Sequence, residues 1–195
     1  MANVAATFGF RHIGFLSGAG PDYQLATRAI QSTNATKIFF GDPVIKQASN
    51  PYILQAATAT NTTVLEGIFQ GCVYIPAGGT VTYSPYWPGA AAVDATAYII
   101  NAPNALFLAA ASSTAISTSA IGATISFNLG TGSTTGGGFS GATLDQNTIS
   151  SSAANPFQIV SLYQGVGNGS DPTTPFNWAV VTFNNQRFKN NTGVV

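Results

Sequence analysis

The sequence predicts an all-β protein, a barrel or jelly-roll-like β-sandwich with an extended N-terminal arm and long Gly/Ser/Thr loops. From residue 36 onward, short runs of β-branched and aromatic residues alternate with turn residues, as in sandwiches and barrels. Helix signals are weak, because the Ala-rich stretches lack capping residues and charged faces. The chain has 195 residues, enough for one well-buried domain. We therefore predict a single β-domain over residues 36–195.

The clearest local pattern is a hairpin in the first half of that domain. The run 64–75 is the longest predicted strand, and 80–83 follows it across Pro76-Ala77-Gly78-Gly79. Gly67 and Gly71 are predicted to mark bulges or close backbone approaches. Alternation in 121–127 predicts a strand with one solvent-facing side. Further strands are predicted at 97–100, 106–108, 157–163 and 178–183.

Residues 1–35 are interpreted as the extended arm, because they show little apolar periodicity and contain several glycines. Their aromatic and basic content is too high for a free tail in water. We expect the arm to lie across a neighbouring subunit or its own domain, with contacts from Phe8, Phe10, Arg11 and Phe15. On this interpretation, deletion of residues 1–15 leaves a folded protein that binds its partner poorly.

The chain is unusually poor in charge. Charged residues make up 6% of it, against roughly 25% in an ordinary soluble domain. Its formal net charge is zero, so little repulsion separates copies, and association is expected. No clustered excess of Lys and Arg is present, which argues against nucleic acid as a partner. Arg187 and Lys189 would share one face of an extended chain, and could contact an acidic partner or plain solvent.

Other classes of function lack their usual signals. Cys72 is the only cysteine, which excludes an intrachain disulfide and a multi-cysteine metal site; it is interpreted as a small buried hydrophobe. No basic segment followed by an apolar one begins the sequence, so no signal peptide is expected. No apolar stretch reaches the ~20 residues of a spanning helix, so no membrane segment is expected.

Catalytic and cofactor motifs are also missing from the sequence. His12 is the only histidine, and no local motif supplies it with a nucleophile and an acid. The glycine-rich segment 130–138 lacks the lysine of a P-loop. Residues 167–171 lack the acidic density of a calcium loop and are interpreted as a turn. The six acidic residues are widely spaced, so no local pair of carboxylates is present: Asp22, Asp42, Glu66, Asp94, Asp145 and Asp171. We therefore expect no enzyme activity, no cofactor and no metal.

Aromatic residues are the richest remaining feature. Tyr83, Tyr86 and Trp87 lie close together among prolines. They could form an exposed platform for a sugar ring or for a partner's apolar side chain. Alternatively, they could close one end of the β-domain as part of its core.

Several motifs follow one another along the chain in a recognisable order. The first three are Phe8-Gly9-Phe10-Arg11, Phe40-Gly41-Asp42-Pro43-Val44 and Gly67-Ile68-Phe69-Gln70-Gly71. Residues 97–107, Leu144-Asp145, 157–160 and 180–185 come next. This order resembles that of proteins encoded beside the major capsid protein in tailed bacteriophages. The similarity therefore extends over nearly the whole chain, although the Gly/Ser/Thr loop is long and the charge content low for such a protein.

The resemblance implies a decoration or cement protein of the phage head, with a β-barrel or jelly-roll body that bridges capsid subunits. It implies binding to the major capsid protein and to other copies of the chain, as a dimer or trimer, on the outer capsid surface of the virion. No catalytic residues come with it. Two alternatives stay open: a carbohydrate-binding β-module that stacks sugars on Tyr83, Tyr86 and Trp87, and a tail or fibre component.

Overall fold

The computed structural model describes residues 2–22, 25–57 and 63–190, which form twelve β-strands and one 3-10 helix, Thr118–Ala120. The strands are β1 (Arg11–Phe15), β2 (Ala26–Ile30), β3 (Pro43–Lys46), β4 (Ile53–Gln55), β5 (Gly67–Tyr74), β6 (Thr82–Ser84), β7 (Ala95–Ile100), β8 (Ala105–Ala110), β9 (Thr124–Asn128), β10 (Thr143–Ser150), β11 (Phe157–Leu162) and β12 (Trp178–Phe183).

The strands form two antiparallel sheets. The first sheet has the order β1-β8-β12-β11-β9-β10. The second has the order β2-β7-β5-β3-β4. On the same edge of β5, β3 pairs with its first two residues and β6 pairs with residues 72–74. The chain crosses from the second sheet to the first in the short turn between β7 and β8. The all-β sandwich predicted from the sequence is confirmed.

The predicted hairpin is confirmed as β5 and β6, in which Cys72 lies opposite Ser84 and Tyr74 opposite Thr82. The register of β5 against β7 shifts between Phe69 and Gly71, so a bulge lies at the predicted glycine. Gly67 marks a close approach, because a Cβ atom there would lie 2.5 Å from the carbonyl oxygen of Ile100. The strands predicted at 97–100, 106–108, 157–163 and 178–183 are confirmed as β7, β8, β11 and β12.

The N-terminal segment does not form a separate arm. Strand β1 pairs with β8 in the first sheet, and β2 pairs with β7 in the second. The arm interpretation is therefore wrong for residues 11–15 and 26–30. The buried positions of β1 are His12 and Gly14, and neither residue belongs to the apolar set by which a strand is recognised. Its apolar Ile13 faces outward, so the usual alternation is inverted.

The core consists of two clusters of buried side chains. The first lies between the sheets and includes Phe10, Phe107 and Phe157. The second covers the opposite face of the second sheet, where Phe69 packs with Trp87. Ile68 belongs to the first cluster and its neighbour Phe69 to the second, because successive side chains of a strand point to opposite faces. Both faces of the second sheet therefore carry buried apolar side chains.

Strand β9 also differs from the prediction of one solvent-facing side. Thr124, Ile125, Ser126 and Phe127 are all buried. The polar side of β9 is covered by the Gly/Ser/Thr-rich segment, residues 128–155. Thr124 Oγ1 donates to the carbonyl oxygens of Ser150 and Ser152, and Thr148 Oγ1 accepts a hydrogen bond from the Ser126 backbone at 2.8 Å. These contacts join residues that are more than 20 positions apart in the sequence. The alternation within β9 could not indicate that its polar side would be buried.

Candidate partner-docking surface

Two of the predicted contact residues belong to the core. Phe10 is fully buried and stacks on Phe157 with ring centroids 4.4 Å apart. Trp87 is fully buried, and its indole nitrogen donates a hydrogen bond to the Asn34 carbonyl oxygen at 2.9 Å. The prediction that these two side chains contact a partner is wrong in this fold, since both are enclosed by their own chain. For Trp87, the alternative of a core residue holds.

Phe8 and Tyr86 are half-buried and pack against different neighbours. Phe8 packs edge-on against Trp178 at 5.0 Å. Tyr86 stacks on Phe39 at 5.8 Å. Because Trp87 is buried and Tyr86 is half-buried, the three rings of the predicted sugar platform do not form a continuous exposed face. Tyr83 alone is strongly exposed, at 78%. The structure therefore does not combine these aromatic residues into one exposed face.

The edge of the first sheet offers an accessible surface. Strand β1 lies at that edge and carries exposed Arg11 and Ile13, while half-buried Phe15 ends it. Leu16 and Leu25 are exposed just beyond, and Phe15 and Leu25 line a shared groove of about 670 Å³. We call Arg11, Ile13, Phe15, Leu16 and Leu25 the β1 edge surface. An edge strand with exposed apolar side chains is a common site of protein association.

Sequence reasoning identified Arg11 and Phe15 in this surface but missed Ile13, Leu16 and Leu25. These three are isolated apolar residues in a segment that was interpreted as an arm. The available signal was the alternation of Arg11 and Ile13 with His12 and Gly14 along an extended chain. It would have indicated a strand that directs Ile13 away from its own core, while Phe15 at the end of the strand packs against that core.

The charged residues near the C-terminal end of the described chain are engaged within the protein. Glu66 is buried, and its carboxylate accepts from Arg28 Nε at 2.5 Å and from an Arg187 terminal nitrogen at 3.3 Å. Lys189 Nζ donates to the carbonyl oxygen of Phe183, and burial lowers the pKa of this lysine. The predicted face of Arg187 and Lys189 thus has internal partners for both cations.

A second buried carboxylate joins the residues before β3 to the end of β4 and to the Gly/Ser/Thr-rich segment. Asp42 accepts hydrogen bonds from the Phe39 backbone and the Gln55 amide, each at 2.7 Å, and from the Ser140 hydroxyl at 2.5 Å. Burial raises the pKa of Asp42 above its usual 3.8, although all three hydrogen bonds oppose that shift. Asp42 therefore holds together three segments that are separated in the sequence.

The raised pKa of Asp42 predicts a definite sign for its effect on stability against pH. The folded state holds the proton more tightly than the unfolded state, so the contribution of Asp42 is greatest below about pH 3.8 and falls as pH rises through the folded pKa. We expect the difference in unfolding free energy between the unaltered protein and Asp42→Asn to shrink as pH rises from about 3 to about 7. Denaturant titrations at each pH measure it.

Asp171 supplies a control of opposite sign. Hydrogen bonds from the Thr173 hydroxyl and backbone lower the pKa of this exposed carboxyl. The contribution of Asp171 to stability is therefore present above its unfolded pKa and is lost as pH falls. The difference in unfolding free energy between the unaltered protein and Asp171→Asn should thus grow as pH rises. Parallel profiles for the two variants would contradict the assignment of a raised pKa to Asp42.

Cys72 behaves as the sequence predicted. Its side chain is buried in the second core cluster, and burial raises the pKa of the thiol to about 12. The neutral thiol is therefore the stable form at neutral pH, and this environment does not generate the thiolate that a nucleophile or metal ligand requires.

Within residues 2–22, 25–57 and 63–190, no three His, Cys, Asp or Glu side chains converge in a way that could hold a metal ion. The same residues contain no helix with the length and hydrophobicity needed to cross a lipid bilayer.

Comparison with known proteins finds no matching family model, no matching curated protein and no matching solved structure.

Proposed function

We propose that this protein is a virion structural protein that binds the outer surface of a phage capsid as a decoration or cement protein and bridges capsid subunits. The observation that carries the proposal is the scarcity of free charge on its surface. The chain has six basic and six acidic residues, and the buried carboxylate of Glu66 already occupies Arg28 and Arg187. Asp42 is buried as well.

A surface of this kind is typical of a protein covered by other subunits. Interface cores are depleted in charged residues and enriched in aromatic and other large apolar side chains. The β1 edge surface fits that description, with three exposed apolar residues beside a single cation, Arg11. We assign to it the contact with the major capsid protein or with another copy of the chain.

Stabilisation of the head then follows from linkage. A protein that binds only the assembled shell lowers the free energy of that shell relative to its separate subunits. Many copies bridge neighbouring capsid subunits, and their binding free energies add to the stability of the assembled shell. The shell therefore resists higher temperature or internal pressure. This role requires a rigid β-body and an exposed contact face, and it requires no catalytic group.

Substitution in the β1 edge surface tests the proposal. Ile13→Asp places a charge on a side chain that is 40% exposed, so the fold tolerates it while an apolar contact does not. We expect its affinity for purified heads that lack the protein to fall by about tenfold or more. Co-sedimentation of heads with increasing protein measures the affinity, and electron microscopy of the decorated heads gives copy number and position.

Ile121→Asp is the matched control. Ile121 is 48% exposed and precedes β9, on the far side of the first sheet from β1. Its substitution should leave binding to heads unchanged. Equal losses for both variants would contradict the role of the β1 edge surface, and a failure of the unaltered protein to bind heads at all would contradict the capsid proposal.

A further inference from the structure

A small pocket opens where β2, the β3–β4 hairpin and residues 187–188 meet. Its volume is about 280 Å³, and its lining includes Arg28, Lys46, Pro51, Glu66, Arg187 and Phe188. Lys46 lies opposite Ile53 in the β3–β4 ladder, and Ala29 of β2 bridges to Tyr52. With Glu66, which precedes β5, four separate parts of the chain therefore bring their side chains to one point.

The pocket concentrates positive charge. Arg28, Lys46 and Arg187 are three of only six basic residues in the sequence. Glu66 is the only acidic side chain in the lining, so two positive charges remain in excess. In a chain with zero net charge, such a concentration creates a local attraction for an anion.

The cations also keep hydrogen-bond donors to spare. A guanidinium group has five N–H donors. Arg28 uses Nε for Glu66 and a terminal nitrogen for the Thr27 carbonyl oxygen, while Arg187 uses a terminal nitrogen for Glu66. Lys46 forms no side-chain hydrogen bond or ion pair with any other residue that the structure describes. An anion in the pocket would therefore meet unused donors from all three cations.

The two guanidinium groups are held in position before any ligand arrives. Glu66 anchors both of them from inside the protein. The Phe188 ring lies 5.7 Å from the Arg28 guanidinium carbon and 6.0 Å from that of Arg187, within the range of cation–π attraction. Because the side chains are already ordered, binding costs less conformational entropy than it would at flexible surface arginines.

Size and lining identify the ligand. The volume of about 280 Å³ lies below the roughly 300–1,000 Å³ of pockets that enclose a drug-sized ligand, which fits a single side chain. Phe188 is exposed and Pro51 adds a second apolar wall. We propose that this pocket binds a single aspartate or glutamate side chain of a partner protein, with Lys46 and the two arginines on its carboxylate. The inference rests on the proposed docking function, for which it names the chemistry of one contact.

Titration of the isotope-labelled protein with N-acetylglutamate α-amide, at low ionic strength, tests the pocket directly. We expect saturable shifts of the Arg28 and Arg187 Nε–Hε signals in NMR spectra, and no shifts with the neutral N-acetylglutamine amide. Lys46→Gln should weaken binding by about fivefold, the effect of one unit charge lost at about 4 Å in a water-like dielectric. Lys46→Arg should restore it.

Lys37→Gln is the matched control, because Lys37 is exposed and lies outside the pocket lining. It should bind the probe like the unaltered protein. Three results would overturn the inference: no saturable shift, equal weakening by both lysine variants, or binding of inorganic phosphate without binding of the carboxylate. The titration contains no phage heads, so a failure here leaves the capsid proposal standing, and a failure to bind heads leaves this result standing.

Discussion

Replacement of Phe10 by alanine is expected to lower the free energy of unfolding by about 3–5 kcal/mol. Phe10 is fully buried, stacks on Phe157 at 4.4 Å and meets Phe127 edge-on at 6.2 Å. The substitution removes these contacts and leaves a cavity between the two sheets. Since whole domains are stable by only about 5–15 kcal/mol, this single change removes a large part of the total. Denaturant-induced unfolding followed by tryptophan fluorescence measures it.

Phe8→Ala is the control for that experiment. Phe8 lies two residues away and is half-buried against Trp178, so its loss should cost only about 1 kcal/mol. Deletion of residues 1–15 removes Phe10 and all of β1, and it should prevent folding. A truncated protein that keeps its cooperative unfolding transition would contradict the role assigned to β1, and equal losses for Phe8→Ala and Phe10→Ala would contradict the packing around Phe10.

The substitution Glu66→Gln is expected to have the second large effect, a loss of about 3 kcal/mol in the free energy of unfolding. Glu66 is 1% exposed, whereas Arg28 and Arg187 are 26% and 28% exposed. Without the carboxylate, two cations stay close together in a partly buried site with no charge to balance them. Their partial access to water places the loss at the low end of the range for breaking a buried ion pair. Denaturant unfolding at low and high salt measures it.

Two further variants separate the ion pairs from other effects of the Glu66 substitution. Asp94→Asn removes an exposed acid that accepts from Tyr52, and it should cost much less. The double variant Glu66→Gln with Arg187→Gln should lose less than the sum of the single losses, because each single change already breaks the same interaction. Strict additivity would contradict the direct coupling of Glu66 with Arg187.

Local chemistry allowed several parts of the fold to be predicted. The β5–β6 hairpin follows from a short Pro/Gly loop between two apolar runs, and the bulge at Gly71 from a glycine inside a strand. Strands such as β7, β11 and β12 have apolar residues that face their own core, so their composition identifies them. In each of these cases, the residues that form the element also contain its signal.

Strands β1 and β9 show where that reasoning fails. The buried side of β1 consists of His12 and Gly14, and the polar side of β9 is covered by a segment about 20 residues further along the chain. Whether a strand residue is buried depends on what packs over it, and that partner is distant in sequence. Apolar alternation records only which residues a strand prefers to bury, so it misassigned both strands.

The candidate site shows the same division between sequence and tertiary structure. The sequence by itself determined the β class, the scarcity of charge and the lack of a catalytic motif, because composition and local turn chemistry are enough to establish each of them. Only the tertiary structure decided that Trp87 belongs to the core and that Glu66 pairs with arginines 38 and 121 residues away. Burial and ion pairing arise from contacts between distant segments, and those contacts exist only once the two sheets have packed together.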